Sequence, residues 1–283
     1  MPGPALTTYR SLRGTLLAII GCLLVAVVAE TIRTGSVQDS ISAYYYTAAG
    51  RIFVAATAAM GVCLVALRGY TDAEDVFLNL AGISAPMIGF VPTPREGVVP
   101  DQVTIAVSTL TYLSVLALGS IAVLISGLVR RRRPGRRWPS GWGWFGFVTT
   151  WLATIVGVAW VLIDKATFAD HAHLMAAGVT FGCTAVLVLL NTDWGARTLG
   201  RAKHSRTRFE LSYWIVFALM IASTIAWVVL DYVVDIDWPY VFLCQEVALL
   251  LLFVAFWILQ TIDLDASRDS MSAHRVTTIA GTD

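Results

Sequence analysis

Apolar runs of roughly 16 to 27 residues recur along this chain, and each is long enough to cross the hydrocarbon core of a bilayer as a helix. The chain is 57% hydrophobic and 14% charged, whereas soluble domains carry about 25% charged residues. A helix satisfies its own backbone hydrogen bonds, which a segment within lipid must do. The sequence therefore predicts an all-α, polytopic transmembrane helix bundle.

Eight spans are predicted, and all belong to one helical domain over residues 1–265. The first is interpreted as an uncleaved helix, because its apolar run continues past Cys22 and many further spans follow. Residues 266–283 are expected to form a polar, mobile cytoplasmic tail. The predicted spans are residues 14–29, 52–67, 76–93, 103–129, a fifth ending near 163, 172–192, 211–230 and 241–262.

A dense arginine run lies between the fourth and fifth spans, and the positive-inside bias places it in the cytoplasm. It consists of Arg130, Arg131, Arg132, Arg133, Arg136 and Arg137. With eight spans, both termini are cytoplasmic and sixteen of the 20 Lys and Arg residues lie on that side. The high use of Arg, Ala and Val suggests a bacterial genome of high GC content. The expected location is therefore the bacterial cytoplasmic (inner) membrane.

Several functional classes find no support in the composition. The basic residues lie in short loops that flank spans, which favours contact with membrane lipids over nucleic acid. The cysteines have neither a disulfide framework nor metal-finger spacing and are expected to pack in apolar runs. No cofactor is assigned from the sequence. The four cysteines are Cys22, Cys63, Cys183 and Cys244.

Small residues at helical spacing predict two close helix contacts. Ala81, Ala85 and Gly89 repeat every four residues in the third span. Gly178 and Gly182 form a GxxxG pattern in the sixth span, which in a membrane helix usually indicates packing.

An ionisable side chain within an apolar run is costly unless it meets a partner or water, so such residues are functional candidates. Glu246 lies about one and a half turns into the eighth span on the outer side. The alternative for Glu246 is a structural ion pair or an interfacial group. Glu30 ends the first span on the same side, and an interfacial cap is its alternative.

The loop after the first span contains Ser42 and three consecutive tyrosines, with Tyr45 in the middle, and Arg51 follows. An aromatic belt at the membrane interface is one interpretation. The other is a structured segment that folds back over the bundle and places hydroxyl groups and Arg51 beside Glu30 or Glu246.

Two histidines near the start of the sixth span are candidate zinc ligands. His171 and His173 are two residues apart, however, which on a helix directs them to opposite faces. Interfacial or solvent-facing histidines are the alternative. The last outer loop adds an acidic rim of Asp231, Asp235 and Asp237.

The segment from Ser40 to Thr93 resembles multi-span bacterial membrane proteins of uncharacterised activity. The resemblance rests on the SISAYY motif at 40–45, Arg51-Ile52-Phe53-Val54, Gly69-Tyr70, Asn79-Leu80-Ala81-Gly82 and Pro92-Thr93. In that group a histidine often follows the paired tyrosines, whereas this chain has Tyr46. A fainter similarity connects the chain with seven-span hydrolases such as alkaline ceramidases and adiponectin receptors, whose three zinc-binding histidines it does not reproduce.

The expected role is binding or sensing through a polar pocket on the outer half of the bundle. The candidate pocket residues are Glu30, Ser42, Tyr45, Arg51, His173 and Glu246. A small molecule or a lipid is the expected ligand. Two alternatives stay open, namely a lipid-active membrane hydrolase and a proton-coupled transporter that uses Glu246.

Overall fold

The computed structural model describes residues 4–95, 101–130, 141–199 and 209–280, and their regular elements are helices. The all-α prediction is confirmed for these ranges, while Arg131–Arg137 and Trp138 lie outside them. The helices are α1 (Pro4–Thr34), a 3₁₀ helix (Ser42–Tyr46), α2 (Gly50–Ala66), α3 (Asp72–Phe90), α4 (Gln102–Arg130), α5 (Gly141–Ile163), α6 (Lys165–Leu190), α7 (Asp193–Thr198), α8 (Glu210–Val228, continued by a π-helical turn, Val229–Val233) and α9 (Val241–Ala280).

Six of the described helices are long and apolar enough to cross a bilayer, so the chain is a multi-pass membrane protein. These six are α1, α4, α5, α6, α8 with its π-helical turn, and the part of α9 up to Asp263. Helix α2 is apolar but has only 17 residues. Helix α3 carries three acidic residues in its first turn, Asp72, Glu74 and Asp75.

Two helix boundaries differ from the predicted spans for local reasons. Helix α6 begins at Lys165, earlier than the predicted 172, because the Asp164 side chain caps it by accepting from the Thr167 amide at 3.0 Å. Helix α9 continues through the predicted tail to Ala280. The backbone of residues 266–280 is therefore helical, and the mobility of this tail stays a prediction.

Six helices form a closed ring in which each contacts the next. The order around the ring is α1, α2, α3, α6, α8 and α9, and α9 returns to α1. Helices α4 and α5 pair with each other outside this ring and contact it through α3 and α6. The ring therefore encloses the interior of the molecule, and the α4–α5 pair is peripheral.

The small-residue face predicted on α3 is confirmed as a close contact. Ala81 and Ala85 are fully buried. A Cβ added at Gly89 would lie 2.2 Å from the Thr57 hydroxyl oxygen of α2. Glycine is therefore required where α3 crosses α2.

Candidate functional site

The segment between α1 and α2 folds back over one end of the ring, as the second of the two sequence interpretations proposed. The Ala43 amide donates to the Ser40 hydroxyl oxygen at 3.0 Å, and the Tyr44 and Thr31 hydroxyl groups form a hydrogen bond. These contacts fix the segment in place. Its buried residues are Ser40, Ile41, Ser42, Ala43 and Tyr44.

Glu246 meets this segment from the second turn of α9. The Ile41 amide donates to Glu246 Oε2 at 2.5 Å, and the Ser42 hydroxyl donates to Oε1 at 2.9 Å. A carboxylate offers about four lone-pair positions, so acceptor capacity is left for a further donor. The ion pairs among the described residues do not include Glu246. Its carboxylate is therefore hydrogen-bonded but has no basic partner in that part of the chain.

A second layer of hydrogen bonds fixes the Ser42 hydroxyl group. The Thr93 hydroxyl donates to Ser42 Oγ at 2.7 Å, and the Tyr46 hydroxyl donates to the Thr93 carbonyl oxygen at 3.0 Å. Ser42 thus accepts from Thr93 while it donates to Glu246. Thr93 and Tyr46 are not among the site residues predicted from the sequence, although the motif similarity runs through both positions.

His173 is 2% exposed and lies on α6, where it faces the interior of the ring. Its Nδ1 lies 2.8 Å from the carbonyl oxygen of Val91 at the end of α3. A carbonyl oxygen only accepts, so Nδ1 carries the proton, and in the neutral form of the ring Nε2 is an acceptor. This contact fixes both the tautomer and the orientation of the imidazole.

A cavity of about 380 Å³ lies inside the ring and is lined by residues from all six ring helices and by Ile41. Its wall is almost entirely apolar. A volume of this size falls within the range of about 300–1,000 Å³ that is usual for small-molecule sites. The polar residues that line it are Thr57, His173, Thr224, Gln245 and Glu246.

Gly178 and Gly182 line this cavity, so the interpretation of their spacing as a helix-packing motif is wrong. No described atom lies within 4 Å of a Cβ built at either position. The two glycines therefore widen the cavity beside α6 and do not bring a second helix into close contact.

The predicted site residues other than Glu246 and His173 do not line the cavity, and Ser42 is connected to it only through its bond to Glu246. Glu30 forms a two-point ion pair with Arg33, with N–O distances of 2.7 and 2.8 Å. Tyr45 packs edge-to-face on Tyr46. Arg51 is exposed at the start of α2, and no hydrogen bond or ion pair within the described ranges joins it to Glu30 or Glu246.

The two histidines have different surroundings, as predicted from their spacing on a helix. His171 is exposed and its Nδ1 lies 3.0 Å from the Thr167 carbonyl oxygen, whereas His173 is buried. Among the described residues no group of three or more His, Cys, Asp or Glu side chains could hold a metal ion. The acidic rim residues Asp231, Asp235 and Asp237 are exposed.

A buried polar cluster, which the sequence did not predict, lies at the opposite end of the ring. Arg13 is 1% exposed, and its Nη2 donates to Gln260 Oε1 at 2.7 Å and to the Tyr9 hydroxyl at 2.8 Å. The guanidinium also lies over the rings of Tyr9 and Trp257, at 4.4 and 5.5 Å from their centroids. Gln260 within an apolar run was the sequence signal that pointed to this cluster.

Comparison with known proteins adds no assignment. No protein family, no curated protein and no solved structure shows significant similarity to this chain.

Proposed function

We propose that this protein binds a small amphipathic ligand in the cavity of the six-helix ring. The observation that carries the proposal is the Glu246 carboxylate, which lines a largely apolar cavity and keeps acceptor capacity beyond Ile41 and Ser42. The apolar body of the ligand occupies the space between α6, α8 and α9. Its head group donates hydrogen bonds to Glu246.

The chemistry of the head group follows from the groups around it. Glu246 accepts, and Nε2 of His173 accepts in the tautomer fixed by Val91. A hydroxyl, amide or ammonium group satisfies these acceptors, whereas a carboxylate head group repels Glu246. An apolar body fits because the wall of the cavity is almost entirely apolar and offers few hydrogen-bond partners to a polar group.

The proposal is tested by comparing decylamine, decanol and decanoate on the protein in lipid nanodiscs, because the three share one chain length. We expect decylamine and decanol to raise the unfolding temperature in a saturable way and decanoate to have no effect. Glu246→Gln is expected to weaken decylamine binding about 10- to 100-fold, since a hydrogen bond to a charged group contributes about 1.5–3 kcal/mol.

Glu30→Gln is the matched control, because Glu30 is paired with Arg33 and does not line the cavity. It should leave the affinity for decylamine unchanged. Equal affinity for decylamine and decanoate, or equal affinity in Glu246→Gln and the unaltered protein, would contradict the proposal.

We further propose that α2 and α3 also cross the membrane, which gives eight spans with both termini in the cytoplasm. The arginine-rich segment 130–137 then lies in the cytoplasm and the Glu246 end of the cavity on the outer side of a bacterial inner membrane. Arg133→Cys in a cysteine-free background should resist impermeant thiol reagents in intact cells, while Val37→Cys, at an exposed residue, should react. The reverse pattern would overturn this topology.

A lipid-active hydrolase is the second candidate function. It is supported by the Ser42 hydroxyl, which donates directly to Glu246 and so has a base beside it. Release of nitrophenol from 4-nitrophenyl decanoate that is lost in Ser42→Ala would favour it. Intact ester after prolonged incubation would exclude hydrolysis of this substrate.

The transporter alternative, coupled to protons through Glu246, stays a prediction, because no structural observation supports it specifically.

A further inference from the structure

The outer half of α8 contacts the ring through α9, where the Gln245 amide donates to the Thr224 hydroxyl at 3.1 Å and Trp227 packs against Phe242. The buried residues of α8 are Tyr213, Val216 and Met220, all in the first eleven residues of the helix. From Ile221 to Val233 no residue is buried. The outer half of α8 is therefore supported on its α9 side, and a cleft lies on its α6 side.

The two sides of this cleft are formed by residues that line the cavity and are also exposed. Ile221 and Ile225 on α8 are 41% and 58% exposed, and Leu174 on α6 is 44% exposed. Gly178 and Gly182, one and two turns after Leu174, leave open space where side chains would stand. The cavity thus opens sideways between α6 and α8.

This opening faces hydrocarbon, because α6 and α8 are both among the helices that can cross the membrane. Apolar side chains and glycines border it together with Thr224, whose hydroxyl already bonds the Met220 carbonyl oxygen and the Gln245 amide. Water and a polar solute are therefore poor candidates for passage, whereas a lipid chain meets surroundings as apolar as those it leaves.

We propose that the ligand is a bilayer lipid whose acyl chain enters the cavity through the cleft between α6 and α8. This inference rests on the proposed function and names the class of ligand and its route. Gln245 bonds Thr224 in the outer half of α8, so the Glu246 end of the cavity lies beside this cleft. A head group at the membrane interface then meets Glu246 while its chain lies beside Gly178 and Gly182.

The head group of the lipid, and not its acyl chain, should determine which lipid binds. A chain that moves from the bilayer to an apolar cavity exchanges one hydrocarbon environment for another, so little free energy is gained by the transfer itself. Lipids with the same chain and different head groups should therefore differ in occupancy, because only the head group meets Glu246.

The test uses a phosphatidylethanolamine with a photoreactive diazirine in one acyl chain, incorporated in nanodiscs with the full-length protein. Mass spectrometry locates the cross-linked residues. We expect cross-links to Ile221 or Ile225 and to Leu249, which lines the interior of the cavity. Gly182→Leu should lower the yield at Leu249 several-fold, because the new side chain narrows the cleft.

Gly119→Leu on α4 is the matched control. A Cβ at Gly119 also meets no described atom within 4 Å, but the residue does not line the cavity. It should leave the yield at Leu249 unchanged, and unfolding temperatures should show that both variants fold. No cross-link to Leu249 in the unaltered protein, or the same yield in Gly182→Leu, would overturn the inference.

Two other outcomes are informative. Protection of Ile221 and Ile225 from the lipid would mean that another protein chain covers the cleft, which also overturns the inference. If decylamine binding still depends on Glu246 while the diazirine lipid never reaches Leu249, then the proposed function survives and only the lateral route fails.

Discussion

The guanidinium of Arg13 is buried, and its hydrogen-bond partners are neutral side chains. It bonds Gln260, whose amide donates to Asn191 at the end of α6 at 3.4 Å. It also bonds Tyr9, whose hydroxyl donates to the Arg68 carbonyl oxygen just past the end of α2. The carboxyl ends of two helices are thus connected to Arg13, and the helix dipole favours a positive charge there.

Arg13→Ala is therefore expected to destabilise the protein by about 1.5–3 kcal/mol, the range for hydrogen bonds to a charged group. Chemical unfolding in detergent micelles measures the change. Arg51→Ala is the matched control, because Arg51 is exposed, and its effect should stay within about 0.5 kcal/mol. Equal effects of the two substitutions on the free energy of unfolding would show that the hydrogen bonds of Arg13 do not stabilise the fold.

The place of a single residue in the candidate site was predictable where a polar side chain interrupts an apolar run. Glu246 and His173 stand out because an ionisable group within an apolar run needs a partner. Arg13 does not stand out, because an arginine beside an apolar run looks like an ordinary interfacial anchor. The positions of Tyr45 and Arg51 depend on how the 3₁₀ segment turns, which the sequence pattern does not determine.

The crossing of α2 and α3 depends on glycine at the contact. A Cβ at Gly61 would lie 2.5 Å from the Gly82 carbonyl oxygen and 2.7 Å from Pro86 Cδ. Gly61→Ala should therefore destabilise the protein by about 1–3 kcal/mol through overpacking. Gly119→Ala, with open space at its Cβ, should be neutral or stabilise by up to about 1 kcal/mol.

Thermal unfolding of the two alanine variants side by side decides between these expectations. Destabilisation of both to the same extent would point to a general effect of alanine and against a specific α2–α3 contact.

The start of α6 should respond to pH through Asp164. Hydrogen bonds from the Thr167 hydroxyl and amide lower the pKa of Asp164 below its ordinary value. The stabilisation is therefore present above the unfolded-state pKa of about 3.9 and is lost as pH falls through the lower folded-state value. The unfolding temperature of Asp164→Asn should fall less than that of the unaltered protein between about pH 5 and pH 3.

Asp231→Asn is the control for this pH response, because Asp231 is an exposed acid outside the regular α-helices. Its unfolding temperature should follow that of the unaltered protein across the same pH range. An identical acid response in Asp164→Asn would mean that the cap does not contribute.

The helices were predictable from the sequence because an apolar run within a membrane satisfies its backbone hydrogen bonds by forming a helix. Their ends were less predictable, since α6 begins where a single side chain caps it and α9 continues into a polar sequence. The GxxxG spacing in α6 was misread because the same pattern serves a close contact or a cavity wall. Only the neighbouring helix distinguishes the two.

The molecule as a whole is a ring of six helices around a cavity, with the α4–α5 pair outside it. This arrangement was not predictable from one sequence, because apolar periodicity does not say which distant helices pair. The ring brings α1, α6 and α9 together although they are far apart in the chain. It thereby places Glu246 and His173 on the wall of one cavity, with Ser42 bonded to Glu246.

The most direct test is a structure of the protein in nanodiscs determined with 10-bromodecylamine. We predict the amine nitrogen within about 3.2 Å of a Glu246 carboxylate oxygen and the bromine in the apolar part of the cavity beside Gly182. A cavity that holds no bromine at a saturating concentration, or one with the bromine at Glu246 and the amine in the apolar part, would contradict the account.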